Sequence, residues 1–174
     1  MTDWLYHFVE ESNRIEGIDR VQQHELDAHA TFLALRKITT DDLSTFVKAV
    51  QPNAVLRTGL GMNVRVGSHI APPGGQEIPL QLQEILDDVQ GDPFTVHCRY
   101  ETLHPFTDGN GRSGRVLWLW MMQQGTDIEI KASEQFGFLH LFYYQTLQGI
   151  ERAAKRAEKA ESCQGPNRTW RNCF

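Results

Sequence analysis

Apolar residues recur at helical spacing along most of the chain. Trp4, Leu5, Phe8 and Ile15 share one face and Gly17 follows, which predicts a first helix stopped at that glycine. A second helix is expected from about Val21 to Lys37, with Leu26, Ala30 and Leu33 on one side. Thr40, followed by Asp41 and Asp42, reads as an N-cap with acids in the first turn. Leu43, Phe46, Val47 and Val50 supply the buried face of that third helix, and Pro52 ends it.

The pattern changes between residues 53 and 79. Val55-Leu56-Arg57 and Asn63-Val64-Arg65-Val66 look like short strands among glycines and Pro72-Pro73. They read as a β-hairpin flap on a helical body, although spacing alone supports a surface loop equally well. Helix resumes with Leu82, Ile85, Leu86 and Val89, closed by Gly91. Asp92-Pro93 then starts a helix as cap and first-turn proline, burying Val96, Tyr100 and Leu103. Arg112 to Gln124 is helical and strongly apolar, and Gly125 terminates it. A last helix is expected after Ser133 through Leu147, running into a mixed-charge stretch and a flexible tail over about 162–174. No internal repeat or long linker divides the chain, so residues 1–174 are expected to form one mainly α domain.

Bulk properties narrow the picture further. Hydrophobic residues make up 40% of the chain and charged ones 22%, as in ordinary globular proteins. A net charge of −5 argues against a generic nucleic-acid binder. Cys98, Cys163 and Cys173 make an odd set, without a disulfide framework, which suggests a reducing compartment. Cys98 lies near His97 and His104, but no pair at zinc spacing completes a site, so it reads as a structural thiol. With neither a signal-peptide pattern nor a run of about 18 apolar residues, a cytoplasmic protein without membrane attachment is expected.

The chemistry concentrates in His104–Arg115, HPFTDGNGRSGR. A helix start carries partial positive charge, so Arg112 and Arg115 just after Gly109-Asn110-Gly111 are a poor choice for stability alone. They make sense if a multiply charged anion sits over that start, approached by glycine amides. A P-loop is excluded, because GxxxxGK(S/T) is absent. Asp108 could hold Mg²⁺ together with phosphate oxygens. His104, at the end of the preceding helix, is suited to act as general base. Phe106 is assigned to the core as the anchor of the loop.

The stretch resembles the signature of the Fic (filamentation induced by cyclic AMP) family, HxFx(D/E)GNGRxxR, matched by His104, Phe106, Asp108, Gly109, Asn110, Gly111, Arg112 and Arg115. Asn63–Pro73 is similar to that family's flap. The resemblance implies a Fic-type helical bundle that transfers AMP from ATP, with Mg²⁺, to a Ser, Thr or Tyr hydroxyl of a target protein. His104 would be the base and Asp108 the metal ligand. Gly109, Asn110, Gly111, Arg112 and Arg115 would bind the nucleotide. Val64, Arg65, Val66, Gly67 and His69 of the flap would dock the target as an added strand. Gly111 and Arg115 favour AMP transfer over the phosphorylation carried out by relatives that lack them.

Ser12-Asn13-Arg14-Ile15-Glu16-Gly17 resembles the family's inhibitory motif: Ser or Thr, three positions, Glu, then Gly or Asn. Residues 1–17 would then be an inhibitory helix whose Glu16, on one face with Ser12, pairs with Arg115 and displaces the γ-phosphate. A hydrolase that removes AMP through the same residues, and a non-catalytic nucleotide-binding module, are the competing readings. The oligomeric state is left open, a homo-oligomer included.

Overall fold

Six helices and one small hairpin make up the regular structure of residues 3–67 and 69–124, the part that the computed structural model describes. In chain order these are α1 (Asp3–Ile15), α2 (Gln23–Leu33), α3 (Thr40–Val50), β1 (Arg65–Val66), β2 (His69–Ile70), α4 (Glu77–Asp87), α5 (Pro93–Leu103) and α6 (Asn110–Gln124). The expected mainly α architecture with a short hairpin is therefore observed. The helix expected after Ser133 and the tail from 162 lie outside the described residues. Among the described residues no helix is long and apolar enough to cross a membrane.

The centre of the fold is α6, which packs against α1, α2, α3 and α5. Its sequence explains the position. Val116, Leu117, Leu119, Trp120 and Met121 are apolar around most of the circumference, and a helix of that kind is stable only when surrounded. The main core joins these residues to Phe32, Leu43, Phe46, Ile78, Leu82, Val96, Tyr100 and Phe106. A second cluster seats α1, through Leu5, Phe8 and Val9, on Leu26 and Leu119. The first helix is thus packed against the central one.

The structure corrects several boundaries. The second helix spans only Gln23–Leu33, because the chain turns away where the Trp120 indole donates to the Leu35 carbonyl at 2.8 Å. The α3 cap is Thr39 rather than Thr40. Its hydroxyl accepts from Asp42 N at 3.2 Å while Asp42 reaches back to Thr39 N at 2.9 Å, the reciprocal spacing that an N-terminal box requires. Ala30 faces solvent, and α2 instead buries Glu25, Leu26, His29 and Phe32. Val55–Arg57 does not pair with residues 63–66. Leu56 bridges Phe106, Arg57 N donates to Pro105 O and Thr107 N donates to Val55 O, so this segment braces the motif loop. The hairpin forms one step later, between β1 and β2, with Arg65 opposite Ile70 and Val66 opposite His69.

His29 is a polar residue in the core. Its ring lies edge-on to Phe8 and Phe46, and Nδ1–H donates to the Glu25 carbonyl at 2.7 Å. Burial, reinforced by the Arg115 and Arg112 charges, pushes its pKa from 6.5 down to about 4. As pH falls through this window the unfolded chain binds a proton that the native state refuses, so native stability is lost on acidification. We predict a falling melting temperature between pH 6.5 and about 4, with a shallower fall in His29→Gln. Equal slopes for the two proteins would contradict this role.

Candidate active site

His104 caps the C-terminus of α5 in the left-handed conformation, with φ 49° and ψ 63°. It is the one non-glycine residue with positive φ among the described residues. Such a conformation costs about 1–3 kcal/mol and persists where surrounding contacts hold it. Its Nδ1 lies 2.8 Å from the Glu101 carbonyl, which can only accept, so Nδ1 carries the proton and Nε2 keeps its lone pair. Burial lowers its pKa, helped by His69 and Arg57, while the Glu101 hydrogen bond and the Glu16 carboxylate oppose the shift. The imidazole is therefore neutral near pH 7, as a general base must be.

Arg57 supplies the contacts that hold this corner. It is fully buried and donates to four carbonyls: Nε to His104 (2.6 Å), Nη2 to Leu103 (2.7 Å), and Nη1 to Met62 (3.0 Å) and Pro72 (2.8 Å). One guanidinium thus joins the end of α5, the histidine and both roots of the flap. On the flap, His69 Nε2 lies 2.9 Å from Thr102 O, and its ring centroid is 6.4 Å from that of His104. Arg65, Val66 and Gly67 are exposed, Val64 and His69 half-buried, and Gly67 takes a positive φ of 58° in the turn. Of the expected docking residues, His69 lies beside the histidine, and Arg65, Val66 and Gly67 are exposed.

The loop from Asp108 to Gly111 enters α6 through Gly109, whose φ is 75°. From beneath, Ser113 Oγ donates to the Gly109 carbonyl (2.9 Å), with Tyr100 Oη 2.7 Å from that hydroxyl. The Asn110 amide closes a ring with Phe106, accepting from its N–H and donating to its carbonyl, each at 2.8 Å. Phe106 is 1% exposed, the core anchor expected.

The two arginines of the motif turn to different neighbours. Arg112 reaches inward, Nη1 to Val50 O at 2.8 Å and Nη2 to Gln51 Oε1 at 3.0 Å, with Glu25 Oε1 3.7 Å away. Arg115 reaches α1. Its Nε donates to Ser12 Oγ (2.9 Å), and its Nη2 donates to Ser12 O (3.0 Å) and to Glu16 Oε1 (2.6 Å). The Glu16 carboxylate also lies over Gly111, where an added Cβ would collide with it. An anion does stand at the start of α6, and it belongs to the chain itself. The two arginines expected to share one phosphate chain thus have separate partners, Arg112 within the body and Arg115 on α1. The side chains of Asn110 and Arg112 are engaged in holding the loop.

Asp108 is exposed at the mouth of the loop. Its Oδ1 accepts from Gly109 N at 2.6 Å and its Oδ2 from Gln51 Nε2 at 2.5 Å. Among the described residues no three His, Cys, Asp or Glu side chains gather as a metal site. The arrangement still fits Mg²⁺ carried by a nucleotide, since that ion keeps waters and takes only one or two protein carboxylates beside phosphate oxygens. Cys98 is half-buried, and burial raises its thiol pKa to about 11, which leaves it inert.

Glu25, Gln51 and Arg57 are the site residues that sequence reasoning missed. Only Arg57 left a signal, as a charged residue within an apolar segment.

A helical body with a glycine-bearing loop, a histidine at a helix end and a flap beside it defines the class of helical domain. The family model described as Fic/DOC family matches residues 26–122, more than half of the chain, and the chain belongs to that family. The match begins after α1, so the contact of Glu16 with Arg115 is a finding of this structure.

The His104 imidazole is predicted to titrate below 6.5 when followed by NMR. Glu16→Gly should move the midpoint lower still, because the carboxylate raises it. An unchanged midpoint would show that the two groups do not sense each other.

Proposed function

We propose that the protein transfers AMP from ATP to a hydroxyl side chain of a target protein, and that it rests in a self-inhibited state. The observation that carries this reading is the pairing of Arg115 with Glu16 at 2.6 Å over Gly111, beside a histidine whose Nε2 is available as a base.

In this reading the triphosphate lies over the start of α6, held by the backbone amides of Asn110 and Gly111 and by Arg115. Mg²⁺, held by Asp108 and phosphate oxygens, would neutralise charge on the phosphates. Asn110 and Arg112 serve from within through their side chains, fixing the loop. The target segment adds as a strand to the flap at 64–69, which brings a Ser, Thr or Tyr hydroxyl toward His104. Nε2 takes the hydroxyl proton as that oxygen bonds to the α-phosphorus. The bond from the α-phosphorus to the bridging oxygen breaks, and pyrophosphate leaves with the electron pair.

Glu16 blocks this by electrostatics and position. Its carboxylate takes the guanidinium that the γ-phosphate needs and fills the space over Gly111. A nucleotide bound beside it would be displaced, and about 1 Å of misplacement can cost roughly 10²-fold in rate. The test is transfer of label from ATP radiolabelled on its α-phosphorus, in the presence of Mg²⁺. Glu16→Gly should raise transfer to protein by about 10²-fold over wild type, and adding His104→Ala should abolish the gain. Unchanged transfer in Glu16→Gly would defeat the inhibition. Transfer that survives without His104 would defeat its role as base.

A further inference from the structure

The inward turn of Arg112 leads to Asp108 by way of one side chain outside the signature. Gln51 is the C-cap residue of α3. Its Oε1 accepts from Arg112 Nη2 at 3.0 Å and its Nε2 donates to Asp108 Oδ2 at 2.5 Å. A guanidinium can only donate and a carboxylate can only accept. The two ends of the amide are therefore chemically distinguished, and a flipped amide would set donor against donor and acceptor against acceptor. The guanidinium is itself fixed: Arg112 is 5% exposed, bonded to the Val50 carbonyl, and faces Glu25 Oε1 at 3.7 Å. Glu25 is fixed in turn, its Oε2 accepting from Gln22 N (2.9 Å) and from Asn13 Nδ2 (3.1 Å).

We propose that Gln51 is a positioning residue for the metal carboxylate: Glu25 and Arg112 orient its amide, and the amide orients Asp108 for a nucleotide-borne divalent cation. The inference rests on Asp108 as the metal ligand of the preceding section. The geometry explains why an exposed aspartate on a loop can be a precise ligand. One oxygen is held by the Gly109 amide and the other by Gln51, which fixes the carboxylate plane and leaves a lone pair on each oxygen for the ion. It also gives Arg112 a function without a phosphate contact. Replacement by lysine would keep the charge near Glu25 but lose the second N–H that addresses Gln51.

The experiment measures ATP binding by calorimetry to the full chain carrying Glu16→Gly, in EDTA and across a Mg²⁺ titration. Loss of an outer partner of a metal ligand typically weakens metal affinity about 10–100-fold. Gln51→Leu should raise the Mg²⁺ concentration for half-maximal enhancement of ATP binding about tenfold, with ATP affinity in EDTA unchanged. Arg112→Lys should shift it in the same direction, and Asp108→Ala should abolish the enhancement. If Asp108→Ala leaves the Mg²⁺ dependence intact, the metal role of Asp108 fails and the inference falls with it. If Asp108→Ala abolishes it while Gln51→Leu behaves as the parent, only the positioning role is overturned. An equal loss of ATP affinity in EDTA for Gln51→Leu would also overturn it, since Gln51 would then merely hold the loop.

Discussion

Arg115 is 2% exposed, and a guanidinium that deep must have its charge answered within the protein. The apolar circumference of α6 draws this helix to the centre of the bundle and takes the arginine in with it. The answer comes from α1, whose apolar face packs Leu5, Phe8 and Val9 against Leu26 and Leu119 and so delivers Ser12 and Glu16 to the guanidinium. Hydrophobic packing sets the register, and the ion pair uses it. The two partners differ in burial: the Arg115 side chain is 2% exposed and that of Glu16 32%, so the pair lies at the edge of the core.

The rest of the site is held by buried polar contacts. Arg57 ties the strained His104 to the flap roots through four carbonyls. Asn110 locks the loop to Phe106, and Ser113 with Tyr100 braces it from below. Buried polar groups are costly unless satisfied, and here each of these bonds also fixes an element that borders the base or the anion position. These contacts fix the loop and the histidine from several sides, and the end of α1 meets Arg115 from another.

Much of this was legible in the sequence for local reasons. Helix faces follow from spacing, Asp92-Pro93 marks a helix start, and cations at the start of α6 break a rule strongly enough to demand an anion. The motif at 104–115 therefore read as a site before any fold was known. The contacts that tune it are non-local: Arg57 meets Leu103 across 46 positions, and Arg112 meets Gln51 and Val50 across 61 and 62. No periodicity encodes such pairings. For the same reason the sequence presented both motif arginines as phosphate ligands, whereas the fold turns one inward. Strand pairing failed similarly, because residues 55–57 found their partner in the loop at 105–107 instead of the neighbouring segment.

The central claim is that Glu16 and the terminal phosphate of ATP compete for Arg115. It is tested most directly by comparing affinities for ATP and AMP in the wild type and in Glu16→Gly. A charge-assisted hydrogen bond contributes about 1.5–3 kcal/mol, so removing the competitor should tighten ATP binding by at least about tenfold while leaving AMP binding unchanged. An equal change for both nucleotides, or none for ATP, would contradict the account.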